Sequence, residues 1–393
     1  MTSEAGANGA RLERWCGTVL AGLAVLTPLM AWGGPLGFAA LVALTGLLCL
    51  PAARILPHQR PVAIVILILV TWAAISTFWS PFRPSGVDDS TALKLGLQAP
   101  LYWSAWQAAQ RVTPSGRRRA LRLFAWGLAG LGALLLVEAF TDAALYRGLR
   151  ELLNDPIRPD LARKNVAQAS FVLALLWPIA LAGGLRAGTP VWLGLPMAAG
   201  VALLAQIFLS DAPVLAVGLS ILAGSVVWSW PRRGPLILAA VASGGVLLMP
   251  LIVTAIRISG MAEGLPESWA QRVAYWSFAR ARIAEHPWRG WGLDASRTFS
   301  PNIQLHPHNG SLQIWLELGM LGAVLAAFLW ILLFRRLSGH DRSIVAVGAA
   351  ASATVYLLFG LISFGVWQEW WLASGTIAAI ITTLAAAERP RTV

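Results

Sequence analysis

Apolar runs of about 18 to 24 residues recur along almost the whole chain, each long enough to cross a bilayer core of roughly 30 Å. Nothing else in the sequence restricts the fold as much. A chain embedded in lipid must satisfy its backbone hydrogen bonds internally, which leaves helices or a closed barrel. A barrel would show short alternating segments, and none are present. The reading is therefore an all-α polytopic membrane protein. Composition agrees: 57% of the 393 residues are hydrophobic and 12% are charged, against roughly 25% charged in soluble domains.

Twelve spans are expected, at about 16–34, 36–50, 61–79, 91–108, 120–140, 166–185, 190–209, 212–230, 235–256, 311–334, 343–363 and 367–386. The first follows Arg11 and Arg14 and resembles a signal peptide, but its length and direct run into a second span mark a retained helix. The fourth carries Lys94, Gln98 and Gln107 and is the weakest. A cytoplasmic N-terminus puts Arg54, Arg60, Arg111, the Arg117–Arg119 cluster, Arg122, Arg186, Arg232, Arg233, Arg335, Arg336 and Arg342 inside, with Arg389 and Arg391 as an inside tail. Short outer loops carry only Arg83. Every short loop then obeys the positive-inside rule, and both termini face the cytoplasm. The net charge of +12 thus reports topology, not nucleic-acid binding. Cys16 and Cys49 each fall in a span, and their isolation argues against a disulfide or metal site. No repeat or linker divides the chain, so residues 1–393 read as one membrane domain. A large periplasmic loop, 257–310, lies between spans nine and ten.

Two outer loops break the rule. Residues 141–165 carry Arg147, Arg150, Arg158, Arg163 and Lys164. The large loop carries Arg257, Arg272, Arg280, Arg282, Arg289 and Arg297. Lipid headgroups, or local acids such as Glu151, Asp155, Asp160 and Glu285, account for individual arginines. Two basic loops on one face together suggest an anionic ligand.

Within the large loop, Pro266-Glu267 opens a run free of Gly and Pro up to Glu285, an amphipathic helix of about five turns. Trp269, Val273, Trp276 and Ile283 form its stripe, expected to pack on the membrane surface. Arg272 lies off that stripe without a neutralising acid nearby. Gly290-Trp291-Gly292 makes a tight turn that lets backbone approach something closely. Leu305-His306-Pro307-His308-Asn309-Gly310 follows, placing His308 at the mouth of the tenth span and Glu317 nine residues later. His306 is either its partner or a neighbour. Two histidines and one glutamate amid a surplus of arginine disfavour a cation site. Arginine forks bind phosphate bidentately. A diphosphate held that way can leave without a metal or general acid, and a neutral histidine suits activation of an acceptor hydroxyl.

Arg272 with Trp276, then His286-Pro287-x-x-Gly290-Trp291-Gly292, then HPHNGSLQIWLELGMLG from His306 to Gly322, resembles the O-antigen ligase and O-antigen polymerase superfamily of bacterial inner-membrane glycosyltransferases. The specific part covers Arg272 to Gly322; the span pattern extends the resemblance weakly to nearly the whole chain. It implies a GT-C-like, metal-independent and cofactor-free enzyme of lipopolysaccharide biosynthesis. Such an enzyme moves a glycan from undecaprenyl diphosphate to an acceptor at the periplasmic face. It implies His308 as the acceptor-activating base, Arg272 as a diphosphate ligand, and Asn309, Gln313 and Glu317 as support. The family pattern usually has a second arginine after a serine at the outer start of the eighth span. Here that place reads Leu209-Ser210-Asp211. Asp211 can bind a sugar hydroxyl or an arginine, and Arg163, Lys164 or Arg158 is expected to supply the missing charge, with Asn165 nearby. In the ligase case the acceptor is lipid A–core; in the polymerase case it is a second lipid-linked glycan. A transporter of lipid-linked sugars is the rival from another class. It would need polar groups along a path, and the spans offer only Lys94, Asp211 and Glu317, all toward the outer half.

Overall fold

The computed structural model describes residues 2–260 and 264–386. The fold is helical: α1 (Thr2–Gly33), α2 (Phe38–Leu48), α3 (Arg60–Ser76), α4 (Thr91–Ala108), α5 (Pro114–Phe140), α6 (Ala144–Leu152), α7 (Pro159–Arg186), α8 (Gly194–Ile207), α9 (Asp211–Ser229), α10 (Gly234–Leu247), α11 (Met249–Ile258), α12 (Glu267–Glu285), α13 (Gly310–Arg335), α14 (Ile344–Ile362) and α15 (Glu369–Ala386). A helix stands at each of the twelve expected places. Seven helices among the described residues are long and apolar enough to cross a membrane: α1, α3, α5, α7, α9, α13 and α14. The chain is therefore a polytopic membrane protein. The α10–α11 pair would make an eighth span; α2 and α8 are apolar but shorter, and α4 and α15 do not meet the same test. Arg389 and Arg391 lie outside the described residues.

The bundle is built around α7, the most enclosed of the long helices, with 72% of its apolar window buried. Leu173, Leu175, Leu176 and Ile179 are fully enclosed there, against α5, α8, α14 and α15. The main core runs continuously through α1, α2, α4, α5, α7, α8 and α15. Helices α5 and α8 cross at Gly132 and Gly200, where a β-carbon on Gly200 would come within 2.4 Å of the Gly132 carbonyl oxygen. Small residues allow such backbone approach where lipid gives no hydrophobic force between helices.

Two expectations need correction. The ninth span does not run straight to residue 256: α10 ends at Leu247 and α11 leaves it at 71°. Pro250, in the first turn of α11, lacks an N–H and disfavours helix at the residue before it, which accounts for the break. Cys16 and Cys49, read as isolated, are buried neighbours across α1 and the end of α2, in one core, and both are free. Sequence separation hid the contact.

Helix α12 forms as expected. Its stripe, however, faces protein. Val273, Trp276 and Ile283 are buried with Tyr275 and Ala279 against Met249 and Val253 of α11 and Leu312 and Leu316 of α13. The bent α11 supplies this wall, which a straight ninth span would not.

Candidate active site

The site is assembled where α13 begins. Asn309 takes an extended conformation, and its Oδ1 accepts the Leu312 N–H at 2.9 Å, capping α13. Its Nδ2 reaches the Met249 sulfur at 3.4 Å. Just before the cap, His308 adopts a left-handed φ of 53°. That conformation costs a residue with a β-carbon about 1–3 kcal/mol, so its surroundings must hold it. Trp276 of α12 donates to the Pro307 carbonyl at 2.9 Å, and the Tyr275 ring stacks on the imidazole at 6.2 Å and 19°.

The His308 tautomer follows from its partners. Nδ1 lies 3.0 Å from the carbonyl oxygen of Ser363. A carbonyl only accepts, so Nδ1 carries the hydrogen and the Nε2 lone pair is left available. Burial holds the pKa of His308 below the ordinary histidine value; the Ser363 carbonyl opposes this, and the Arg272 charge adds to it. The ring is neutral near pH 7.

Arg272 stands one turn before Tyr275 on α12, so its charge reaches His308. Its guanidinium lies over the Trp269 ring at 5.2 Å and donates to the Ser268 carbonyl at 3.2 Å. Among the described residues it has no carboxylate partner, and burial lowers its pKa.

Glu317 is the hub that fixes the surrounding loops. It is fully buried and accepts four hydrogen bonds: Ser296 Oγ at 2.6 Å, Trp367 Nε1 at 2.6 Å, Gln313 Nε2 at 3.1 Å and Asp294 N at 3.1 Å. Gln313 Oε1 accepts the Val366 N–H at 2.9 Å. One carboxylate thus ties α13 to the large loop and to the segment between α14 and α15.

That tie requires a break in α13. Gly319 is non-helical, at φ 65° and ψ −162°. The carbonyls freed around it accept Trp291 N, Gly292 N and Trp72 Nε1 at 2.8 to 3.0 Å, while Met320 N donates to the Pro287 carbonyl. The Gly290-Trp291-Gly292 turn therefore approaches the backbone of α13 itself. A β-carbon on Gly290 would stand 2.4 Å from the Glu317 backbone, and one on Gly319 2.4 Å from the Trp288 oxygen.

The expected site residues divide into two groups. Arg272, His306, His308, Asn309, Gln313 and Glu317 are brought together. The others are spent elsewhere or stand apart. Arg163 forks onto Asp142, with one bond at 2.9 Å, and Arg158 forks onto Asp160 at 3.0 and 2.6 Å. Arg150 pairs with Asp155 and Arg282 with Glu285, so local acids answer much of the basic loops. Lys164 is exposed and has no partner among the described residues, and the same is true of Asp211 at the start of α9. Asn165 donates to the Tyr146 hydroxyl at 3.2 Å. Ser363, Trp367, Gln368, Asp294 and Ser296 were not foreseen. Their roles rest on backbone carbonyls and long-range pairings that no local spacing signals. Among the described residues, no group of three or more His, Cys, Asp or Glu side chains could hold a metal ion.

Residues 197–327 match the family model described as O-Antigen ligase. A "Putative polysaccharide ligase" of Rickettsia conorii is 30% identical over 158 residues, 36% of this chain and 38% of that protein. Its counterpart in Rickettsia prowazekii is 33% identical over 160 residues, 36% of this chain and 39% of the relative. The O-antigen ligase of Pseudomonas aeruginosa is 31% identical over 150 residues, 37% and 34% of the two chains. The chain thus spans about two fifths of the length of the curated relatives it matches. No solved structure matches it.

Proposed function

We propose that this chain, which belongs through residues 197–327 to the O-antigen ligase superfamily, transfers a glycan from undecaprenyl diphosphate to lipid A–core. The reaction takes place at the periplasmic face of the inner membrane and needs no metal. The observation that carries the reading is a neutral His308, whose Nε2 has no partner among the described residues, within reach of the charge of Arg272, which has no carboxylate partner among them.

The acceptor hydroxyl attacks the anomeric carbon of the donor. Its oxygen forms the new glycosidic bond, and its proton passes to His308 Nε2. The bond from the anomeric carbon to the diphosphate oxygen breaks, and the charge that develops on undecaprenyl diphosphate is stabilised by Arg272. Arg158 and Arg163 can join only by exchanging a surface carboxylate for phosphate, and solvent-exposed pairs of this kind hold their partners weakly. Lys164 needs no exchange.

A transporter is less well supported. Lys94 is engaged by Glu369 at 2.7 Å and Glu317 by its four donors, so neither charge is free to line a path. The lipopolysaccharide of a deletion strain tests the reading. Complete loss of attached glycan is expected; survival of a single attached unit would indicate a polymerase joining lipid-linked repeats instead.

A further inference from the structure

We infer that His306 is the residue that positions His308, acting with Gln368 and not on substrate; this rests on the role proposed for His308 above. The backbone N–H of His308 donates to His306 Nδ1 at 3.1 Å, and the two rings lie 4.4 Å apart. Only an unprotonated Nδ1 can accept that bond, so His306 is the neutral tautomer with its hydrogen on Nε2. That bond helps hold the left-handed backbone of His308, whose cost needs a specific support.

The far side of His306 is equally specified. Its Nε2 is 3.2 Å from the side-chain nitrogen of Gln368, and the Gln368 Oε1 is buried with no hydrogen-bond partner among the described residues. The two ends of an amide have the same shape. The orientation that turns Oε1 toward His306 lets Nε2–H donate to it, which pairs the ring nitrogen with the oxygen and leaves the amide NH2 in the buried position. The face of the ring is closed by Gly365, where a β-carbon would stand 2.9 Å from the imidazole. His306 is 9% exposed, so most of the ring meets protein and not solvent.

The segment between α14 and α15 therefore grips both histidines, through Ser363 on His308 and through Gly365 and Gln368 on His306. Of the four ring nitrogens, three are engaged. His308 Nε2 is the one left without a partner among the described residues, pointing the reaction to a single atom.

The test uses the purified full-length protein with undecaprenyl-diphosphate-linked glycan and lipid A–core. His306→Phe keeps a ring of similar size but removes Nδ1; kcat is expected to fall about 100-fold with KM nearly unchanged, the size of effect that a small misplacement of a reacting group produces. His306→Asn offers an oxygen near the place of Nδ1 and is expected to recover most of that loss. Gln368→Leu leaves both histidines in the chain and is expected to lower kcat about tenfold, which keeps the inference testable if His306→Phe fails to fold. Wild-type kcat in His306→Phe, no recovery in His306→Asn, or wild-type kcat in Gln368→Leu would each overturn it. His308→Ala is run alongside. If that variant is active, the assignment of the base fails instead, so the two failures are distinguishable.

Discussion

His308 and Ser363 are 55 residues apart in sequence, yet the imidazole Nδ1 of one lies 3.0 Å from the carbonyl oxygen of the other. The carbonyl sits just past the end of α14, and the imidazole just before the start of α13. Two helix ends meet there, and the hydrogen bond between them decides which ring nitrogen is basic. The proposed chemistry depends on that arrangement more than on the presence of a histidine.

The pH dependence of kcat/KM should show it. Burial and Arg272 keep His308 below the ordinary histidine value, about 6.5. Activity is expected to persist below pH 6.5 and to fall at a lower midpoint. A midpoint above 6.5 would mean that a protonated histidine, not a neutral one, rests in the site.

Stability should respond to acid through His306. Burial, with a smaller effect of His308, pushes its pKa down to about 3. Below about pH 6.5 the unfolded chain takes up a proton that the folded one refuses, so stability falls as pH drops toward 3, by at most about 1.4 kcal/mol per pH unit. Replacing His306 with Phe should flatten that part of the melting-temperature profile in detergent. An unchanged slope would show that other groups dominate.

Glu317 should matter for folding before chemistry. Glu317→Ala strands the donors of Ser296, Trp367, Gln313 and Asp294, each costing roughly 1–3 kcal/mol when left buried. A loss of more than about 3 kcal/mol is expected, seen as a lower melting temperature or lost expression. Glu317→Gln keeps one acceptor oxygen and should lose less. Equal stability of all three proteins would remove Glu317 as the hub.

Among the basic residues, Arg272 should dominate donor binding. Arg272→Lys keeps the charge and loses the fork; the KM for the lipid-linked donor is expected to rise about tenfold or more, the loss of a charge-assisted hydrogen bond of roughly 1.5–3 kcal/mol. Lys164→Ala should raise it more than Arg158→Ala does, because Arg158 already holds Asp160. The reverse order would place the diphosphate at the paired arginines.

Much of this was legible in the sequence because it is local. Apolar runs found the helices, Pro266 and Glu267 found the start of α12, and the spacing from His308 to Glu317 placed both on one helix entry. What stayed hidden depends on distant partners. The carboxylate on Arg163 could not be read from a count of charges, since Asp142 is 21 residues away, whereas Asp160 beside Arg158 was local and legible. The break at Gly319 reads as one more apolar glycine until the Gly290–Gly292 turn is seen against it. Ser363 contributes a carbonyl, which any residue has.

The transfer rate of purified His308→Ala, with undecaprenyl-diphosphate-linked glycan and lipid A–core, tests the central claim most directly. A loss of 10²–10⁴-fold, the usual contribution of a positioned base, with donor binding retained, is the predicted result. Wild-type transfer by that variant would contradict it.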